Sequence, residues 1–343
     1  CMLGALIGDC LGAPFEMETR VAFSILNKYF TKMTDPDAKV PYKSYTDDNA
    51  MTRSVAQSFI DKKQFDDVDM AKKFVKEYFA EPNRGYGENI VDVFVALKAT
   101  KYRDVSAPAM MQFAGSGSWG NGGAMRVSPV ALFTTRLEEQ QCADIAKQTA
   151  LITHTNPFGF NGAILQCLAV RRALHCTPDT LDPQRFVDEL LASLSKLTIS
   201  FDQEESVMSE FTGGKQYMDK LLLVQDLLSR TDVVTRDQVV NKLGNNVSAL
   251  GSVTTAIYAF LRALQPIDGI QSDSEFLRAI MFSISLGGDT DTIASMAGAI
   301  AGAYHGSKAV PEYLSRHCEG WQHAINQATL LHSTVYPPSG EKG

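Results

Sequence analysis

Apolar residues recur along this chain at intervals of three and four, the spacing that lines one face of an α-helix. Val68, Phe74, Val75, Tyr78 and Phe79 form one such face, Ile90, Val93, Phe94 and Leu97 a second, and Cys142, Ile145, Ala146 and Ile152 a third. Ala256, Ile257, Phe260, Leu261 and Leu264 form a fourth, and Phe276, Ile280 and Ile284 a fifth. Period-two alternation, the mark of a half-buried strand, is nearly absent. The polar punctuation agrees. Asp182-Pro183 reads as an N-cap with proline at the first helical position, Thr235 with Gln238 as a capping box, and Gly244 as the residue that closes that helix. No tandem repeat and no Pro/Ser/Gly-rich linker divides the chain. The pattern predicts one large all-α domain over residues 1–343, with its polar sites in loops between helices.

The most apolar run, Ala294 to Tyr304, is short for a bilayer and is entered through Asp289 and Asp291, so it predicts a buried helix and not a span. Six cysteines are scattered without a C-x-x-C pair, which predicts reduced thiols in a reducing, intracellular compartment. The sequence starts at Cys1 and not at Met, so the expectation is that the natural start, with any targeting segment, lies upstream. Hydrophobic residues make up 45% of the chain, which excludes a disordered protein. With 32 basic against 39 acidic side chains the net charge is −7, and no electrostatic footprint for DNA, RNA or an anionic membrane exists.

Three loops carry the candidate chemistry. Tyr45-Thr46-Asp47-Asp48-Asn49-Ala50 precedes a helical run from Met51 to Ile60. Ser285-Leu286-Gly287-Gly288-Asp289-Thr290-Asp291-Thr292 opens the apolar helix that follows. Helix capping explains one carboxylate in each, but not two carboxylates beside a hydroxyl in a segment destined for burial. If the two loops meet, Thr46, Asp47, Asp48, Asp289, Asp291 and Thr292 form an all-oxygen set that selects Mg²⁺, Mn²⁺ or Ca²⁺ over zinc. Four carboxylates exceed the charge of one divalent ion, so two ions are expected.

The third loop, Ala114-Gly115-Ser116-Gly117-Ser118-Trp119-Gly120-Asn121-Gly122-Gly123, lacks the G-K-[ST] ending of a P-loop. It is either a flexible surface loop or a cradle of N–H groups for a phosphate, with Trp119 as a face for a base. Glu16 follows the Pro14-Phe15 turn, outside the Asp/Thr cluster, and is either solvated or aimed. His154, at the end of an apolar helix, is either a cap, a satisfied core residue or a ligand-binding group.

These segments together resemble the ADP-ribosylhydrolases, most closely one vertebrate branch, over almost the whole chain. The resemblance rests on Gly4-Ala5-Leu6-Ile7-Gly8-Asp9 with Glu16, on Tyr45-Thr46-Asp47-Asp48, and on Gly117-Ser118-Trp119-Gly120-Asn121-Gly122-Gly123-Ala124-Met125-Arg126. It continues through Thr153-His154, Gly159-Phe160-Asn161-Gly162-Ala163 and Ser285 to Thr292. It implies an orthogonal helical bundle with a binuclear Mg²⁺ centre, Mn²⁺ being able to substitute, held by Thr46, Asp47, Asp48, Asp289, Asp291 and Thr292. Glu16 would be a mobile catalytic glutamate. Gly117, Ser118, Trp119, Gly120, Asn121 and His154 would receive ADP-ribose, with adenine sandwiched by Phe113 and Trp119.

The implied activity is hydrolysis of O-linked ADP-ribose from serine and from poly(ADP-ribose) by a monomer. Its partners would be ADP-ribose, ADP-ribosylated proteins and the polymer, with no direct nucleic-acid or membrane binding. Nucleus, cytoplasm and mitochondrial matrix, and the DNA damage response, are the implied setting. Two departures stand out: Asn49 where the family usually has Thr, and Trp119 where Tyr is common. Two rival readings share the metal loops, namely an arginine-specific ADP-ribosylhydrolase and a catalytically silent crystallin-like relative. Retention of Glu16 and of all four loop aspartates speaks against silence.

Overall fold

The N-terminal helix Met2–Gly12 places Gly4 and Gly8 on one stripe, and the helix Thr290–His305 places Gly298 opposite them. A Cβ at Gly4 would lie 2.1 Å from the carbonyl oxygen of Gly298, and one at Gly8 would lie 2.1 Å from that of Ala294. The two backbones therefore touch directly, a crossing only hydrogen side chains permit. Both helices are buried along their length, and the apolar run expected to be interior is interior throughout. The crossing fixes the ends of both helices together, which brings the Glu16 segment and the Asp289–Thr292 segment into one place.

In the computed structural model, every regular element among the described residues is helical, with isolated bridges at Lys43–Cys318 and Gly120–Ser248. The structure describes the chain apart from residues 36, 38, 178–180, 203–212 and 338–343, and apart from the side chains of 198–202. Around the central pair pack the helices Ala249–Ala263, Glu275–Ser285 and Pro157–His175, whose Ile257, Phe260, Ile280 and Ile164 are buried in the core. The helix Asp47–Lys62 lies beside the N-terminal helix and carries the first acidic loop at its start.

The expected caps are present. Asp182 accepts the Arg185 N–H at 2.7 Å, Thr235 and Gln238 form a reciprocal capping box, and Gly244 follows that helix at φ +106°. Phe79, assigned from periodicity to an apolar face, is nearly half exposed and lies under Lys98 Nζ at 4.2 Å. All six cysteines are free, and none of the described helices is long and apolar enough to cross a membrane.

Candidate active site

Thr46 caps the helix Asp47–Lys62, its Oγ1 accepting the Asp48 N–H at 3.3 Å. The loop is held from beneath by Asp9, whose carboxylate accepts the Thr46 N–H at 2.9 and 3.1 Å and the Asn49 N–H at 3.0 Å. On its outer side the Asp47 N–H donates to the Arg84 carbonyl at 2.7 Å. Arg84 in turn grips Glu319 with a two-pronged guanidinium contact at 2.6 and 2.9 Å and donates to the Tyr45 carbonyl. The acidic loop is thus clamped before any ligand arrives.

The second loop turns on Gly287 and Gly288, at φ +71° and +72°, where a Cβ would lie 2.4 and 2.1 Å from neighbouring carbonyl oxygens. This turn stitches itself to the Glu16 segment. The Met17 N–H donates to the Gly288 carbonyl at 2.8 Å, and the Gly288 N–H to the Glu18 carbonyl at 2.7 Å. As a result one carboxylate oxygen each from Glu16, Asp289 and Asp291 lies within 4.8 Å of the others. Glu16, expected outside the acidic cluster, lies in it, because the two-glycine turn pairs with its segment and draws it in.

The two loops meet. Thr292 Oγ1 donates to Asp48 Oδ2 at 3.1 Å, and Thr46 Oγ1 donates to the same oxygen at 3.3 Å. Asp48 Oδ1 is buried with no hydrogen-bond partner. Burial pushes the carboxyls of Asp9, Asp47, Asp48 and Asp291 above the ordinary range. Neighbouring carboxylates push Asp47, Asp48 and Asp291 further. Glu16 is raised by partial burial and then by Asp289. An unpartnered buried carboxylate oxygen within a crowd of hard oxygen donors fits a divalent cation of the Mg²⁺ class.

The glycine-rich loop forms the facing wall. It is pinned to residues 247–249, the Asn121 N–H donating to the Val247 carbonyl at 2.9 Å and the Ala249 N–H to the Trp119 carbonyl at 3.1 Å. The Asn121 side-chain amide donates to Asp289 Oδ2 at 2.6 Å and to Ser252 Oγ at 3.1 Å, so in this state it orients an acidic-loop carboxylate. Phe113 and Trp119 stand at the mouth, 43% and 42% exposed, with ring centroids 6.2 Å apart and planes tilted by 36°. Two stacking contacts of roughly 3.5 Å each need about 7 Å between parallel faces. The adenine sandwich implied by the resemblance is therefore not open in this structure, and a base enters only when the rings part and align. Phe113 and Ala114 both hold left-handed backbone, at φ +50° and +56°, in the segment that would move.

A cavity of about 280 Å³ runs between these walls, and of the candidate catalytic, metal-holding and ADP-ribose residues only Gly117 is absent from its lining. Gly117 is at φ +69°, where a Cβ would meet Thr155 Oγ1 at 2.2 Å, so it seats the loop against its neighbour. His154 reaches the cavity from a buried position, its ring against Gly122. Asn49 is buried, its N–H on Asp9 and its side-chain Nδ2 without a partner.

Sequence reasoning missed three residues as members of the site. Asp9 entered only as part of a motif, although a lone carboxylate in the run Leu6-Ile7-Gly8-Asp9-Cys10-Leu11 was a visible signal. Arg126 is the largest fully buried side chain among the described residues and lines the cavity. Tyr86, between Gly85 and Gly87, lines it too, with a buried hydroxyl that has no partner and a ring edge-on to Tyr78.

An all-helical chain built around paired acidic helix starts is one class of protein, and the whole sequence bears this out. The chain belongs to the ADP-ribosylglycohydrolase family, whose model matches residues 1–338. Among its relatives, the ADP-ribosylhydrolase ARH3 of Mus musculus is 44% identical over 342 residues, covering 97% of this chain and 90% of that protein. The ADP-ribosylhydrolase ARH3 of Homo sapiens is 42% identical over 343 residues, covering 97% and 92%. A solved structure described as an ADP-ribosylglycohydrolase-related protein complex shares the fold, with a TM-score of 0.63 and 20% identity over 97% of both chains.

Proposed function

We propose that this chain is a Mg²⁺-dependent hydrolase that releases ADP-ribose from O-linked ADP-ribosylserine on proteins and from poly(ADP-ribose). The observation that carries this reading is the convergence of Glu16, Asp289 and Asp291 within 4.8 Å, beside Asp48 and beneath the aromatic mouth of one cavity. The relatives named ADP-ribosylhydrolase, 42–44% identical over nearly the full length, support the substrate class. Thr46, Asp47, Asp48, Asp289, Asp291 and Thr292 would hold two Mg²⁺ ions, with Mn²⁺ as a substitute. When bound, the metal supplies Lewis-acid polarisation and a lowered pKa for coordinated water.

The protein's own residues do the rest. Phe113 and Trp119 flank the base, and Ser118, Gly120 and His154 line the path to the acidic floor. Hydrolysis adds water to the anomeric carbon and expels the serine oxygen, which needs a proton as the C–O bond breaks. Glu16, which lines the cavity, supplies that proton, and its carboxylate then takes one from the attacking water, so the residue is restored at the end of the cycle. Asn121 and Asp9 keep the acidic loops in register throughout.

We place its action inside the cell, in nucleus, cytoplasm and mitochondrial matrix, as a monomer that meets modified proteins and not nucleic acid. The test is release of ADP-ribose from serine-modified and arginine-modified peptides, with Mg²⁺ and with chelator. Mg²⁺-dependent release from serine is expected. Equal or faster release from arginine would move the chain to the arginine-specific class, and full activity in chelator would remove the metal from the reading.

A further inference from the structure

Behind the glycine-rich loop runs a chain of three side chains that ends in the cavity. Arg126 is 1% exposed, and its Nη1 donates to the Gly122 carbonyl at 3.0 Å. Its Nη2 donates to the Thr149 carbonyl at 3.1 Å and to Thr153 Oγ1 at 2.6 Å. The guanidinium also sits 4.6 Å from the centre of the Phe74 ring, which holds it in place. Thr153 Oγ1 lies 2.7 Å from His154 Nδ1. The Thr153 carbonyl is gripped from the other side by Gln112 Nε2 at 2.6 Å.

Donor and acceptor counting then decides which ring nitrogen carries the proton. A guanidinium only donates, so Arg126 takes a lone pair of Thr153 Oγ1 and leaves the hydroxyl its single proton to give. Thr153 is fully buried, and its hydroxyl has one remaining neighbour, His154 Nδ1. The second lone pair of Oγ1 could accept an Nδ1–H, but the hydroxyl proton would then be buried with no acceptor, so the arrangement that satisfies every group makes Nδ1 the acceptor and puts the proton of a neutral ring on Nε2. Burial, and then the Arg126 charge, hold His154 well below its usual pKa, at about 3, so the ring is neutral at pH 7. Nε2 lies on the side of Gly122 and Gly120, where added Cβ atoms would come within 2.9 and 3.5 Å of it.

We propose that Arg126 and Thr153 are positioning residues that fix His154 as the neutral Nε2–H tautomer, a single aimed donor for a phosphate or ribose oxygen of a nucleotide in the cavity. The opposite tautomer would turn a lone pair toward that oxygen and repel it. The second half of this proposal rests on the reading of the cavity as an ADP-ribose site; the tautomer itself does not.

The test is a two-bond ¹H–¹⁵N correlation spectrum of the histidine-labelled, ligand-free protein at pH 7, with the His154 signals assigned by their loss in His154→Asn. A protonated Nε2 beside an unprotonated, hydrogen-bonded Nδ1 is expected. An Nδ1–H tautomer or an imidazolium in the wild type overturns the proposal, whether or not any variant folds. In Thr153→Val the two tautomers should mix, and ADP-ribose should bind about tenfold more weakly, the loss of roughly one aimed hydrogen bond. In that variant KM should rise while kcat changes little. Thr153→Ser should restore both spectrum and affinity. A Thr153→Val protein with the wild-type spectrum overturns the role of the hydroxyl. A wild type with the expected spectrum that binds no ADP-ribose removes the nucleotide reading and leaves the tautomer standing.

Discussion

Thr292 donates its hydroxyl proton to Asp48 at 3.1 Å across 244 residues of sequence, tying the start of one buried helix to the start of another. The same Asp48 oxygen receives Thr46, while the other oxygen of that carboxylate is left without a partner. A buried carboxylate satisfied on one side only is expensive in an apolar interior. Here the cost is concentrated where Asp9, Asp47, Asp289, Asp291 and Glu16 add further negative charge. A bound cation is the natural relief.

Stability of the metal-free protein should fall as pH rises. A carboxyl whose folded pKa exceeds its unfolded value of about 4 stabilises the fold below that value and loses the contribution as pH passes its folded pKa. Burial pushes Asp9 up to about 7 and Asp47 to about 8. His154, lowered to about 3, contributes above its unfolded value of about 6.5 and so adds no slope beyond it. In chelator the melting temperature should therefore decline between about pH 6.5 and 8.5, and saturating Mg²⁺ should raise it and flatten the decline. A metal-free melting temperature that climbs across that window would contradict the electrostatic account.

Gly8→Ala should damage the fold and the site together. Its Cβ would stand 2.1 Å from the Ala294 carbonyl oxygen, a backbone atom that cannot swing aside. Overpacking of this kind costs about 1–3 kcal/mol. Pushing the helices apart also moves Asp9 away from Thr46 and Asn49, so turnover should drop beyond what lost stability explains. Urea unfolding and steady-state rates on the folded fraction measure the two effects, and a variant equal to wild type in both would refute the backbone contact.

The helices were legible because each buries one face, and burial of one face writes a 3.6-residue period into sequence. The acidic loops were legible because carboxylates at helix starts before an Ala/Gly-rich apolar run have little other reason to be there. The crossing at Gly4, Gly8 and Gly298 was not, since a glycine inside a helix looks like a weakness until the partner helix is seen. Glu16 was misplaced for a related reason: its position depends on Gly288, remote in sequence, and local turn chemistry says nothing of that pairing. Asn121 looked like a ligand contact because it sits in the glycine-rich loop, yet its amide reaches Asp289.

Trp119→Ala should weaken ADP-ribose binding by about one to two decades, the worth of roughly 1–3 kcal/mol for a base on an aromatic face. The tilted, closely spaced pair with Phe113 must open before a base enters, so part of that stacking energy is spent on parting the rings. Either truncation removes the need to part the rings, so Phe113→Ala should cost less than Trp119→Ala only because it gives up the smaller aromatic face. Calorimetric titration of both variants with ADP-ribose decides it. Unchanged affinity in Trp119→Ala would return the loop to a surface role.

Glu16→Gln should separate chemistry from binding. The substitution keeps the shape of the side chain and removes its proton-transfer function, so turnover should fall by about 10²–10⁴-fold. Because Glu16 adds its charge to the environments of Asp47 and Asp291, neutralising it should relieve repulsion among the carboxylates that remain. The metal-free variant should therefore melt at or above the wild-type temperature at pH 8. Since Glu16 lies within 4.8 Å of Asp289 and Asp291, the stabilisation gained on adding Mg²⁺ should shrink without vanishing. Binding of ADP-ribose should persist, because Phe113, Trp119 and His154 line the cavity independently of this residue. Wild-type turnover in Glu16→Gln would end its assignment as the proton donor, and complete loss of the Mg²⁺ response would make it chiefly a metal ligand.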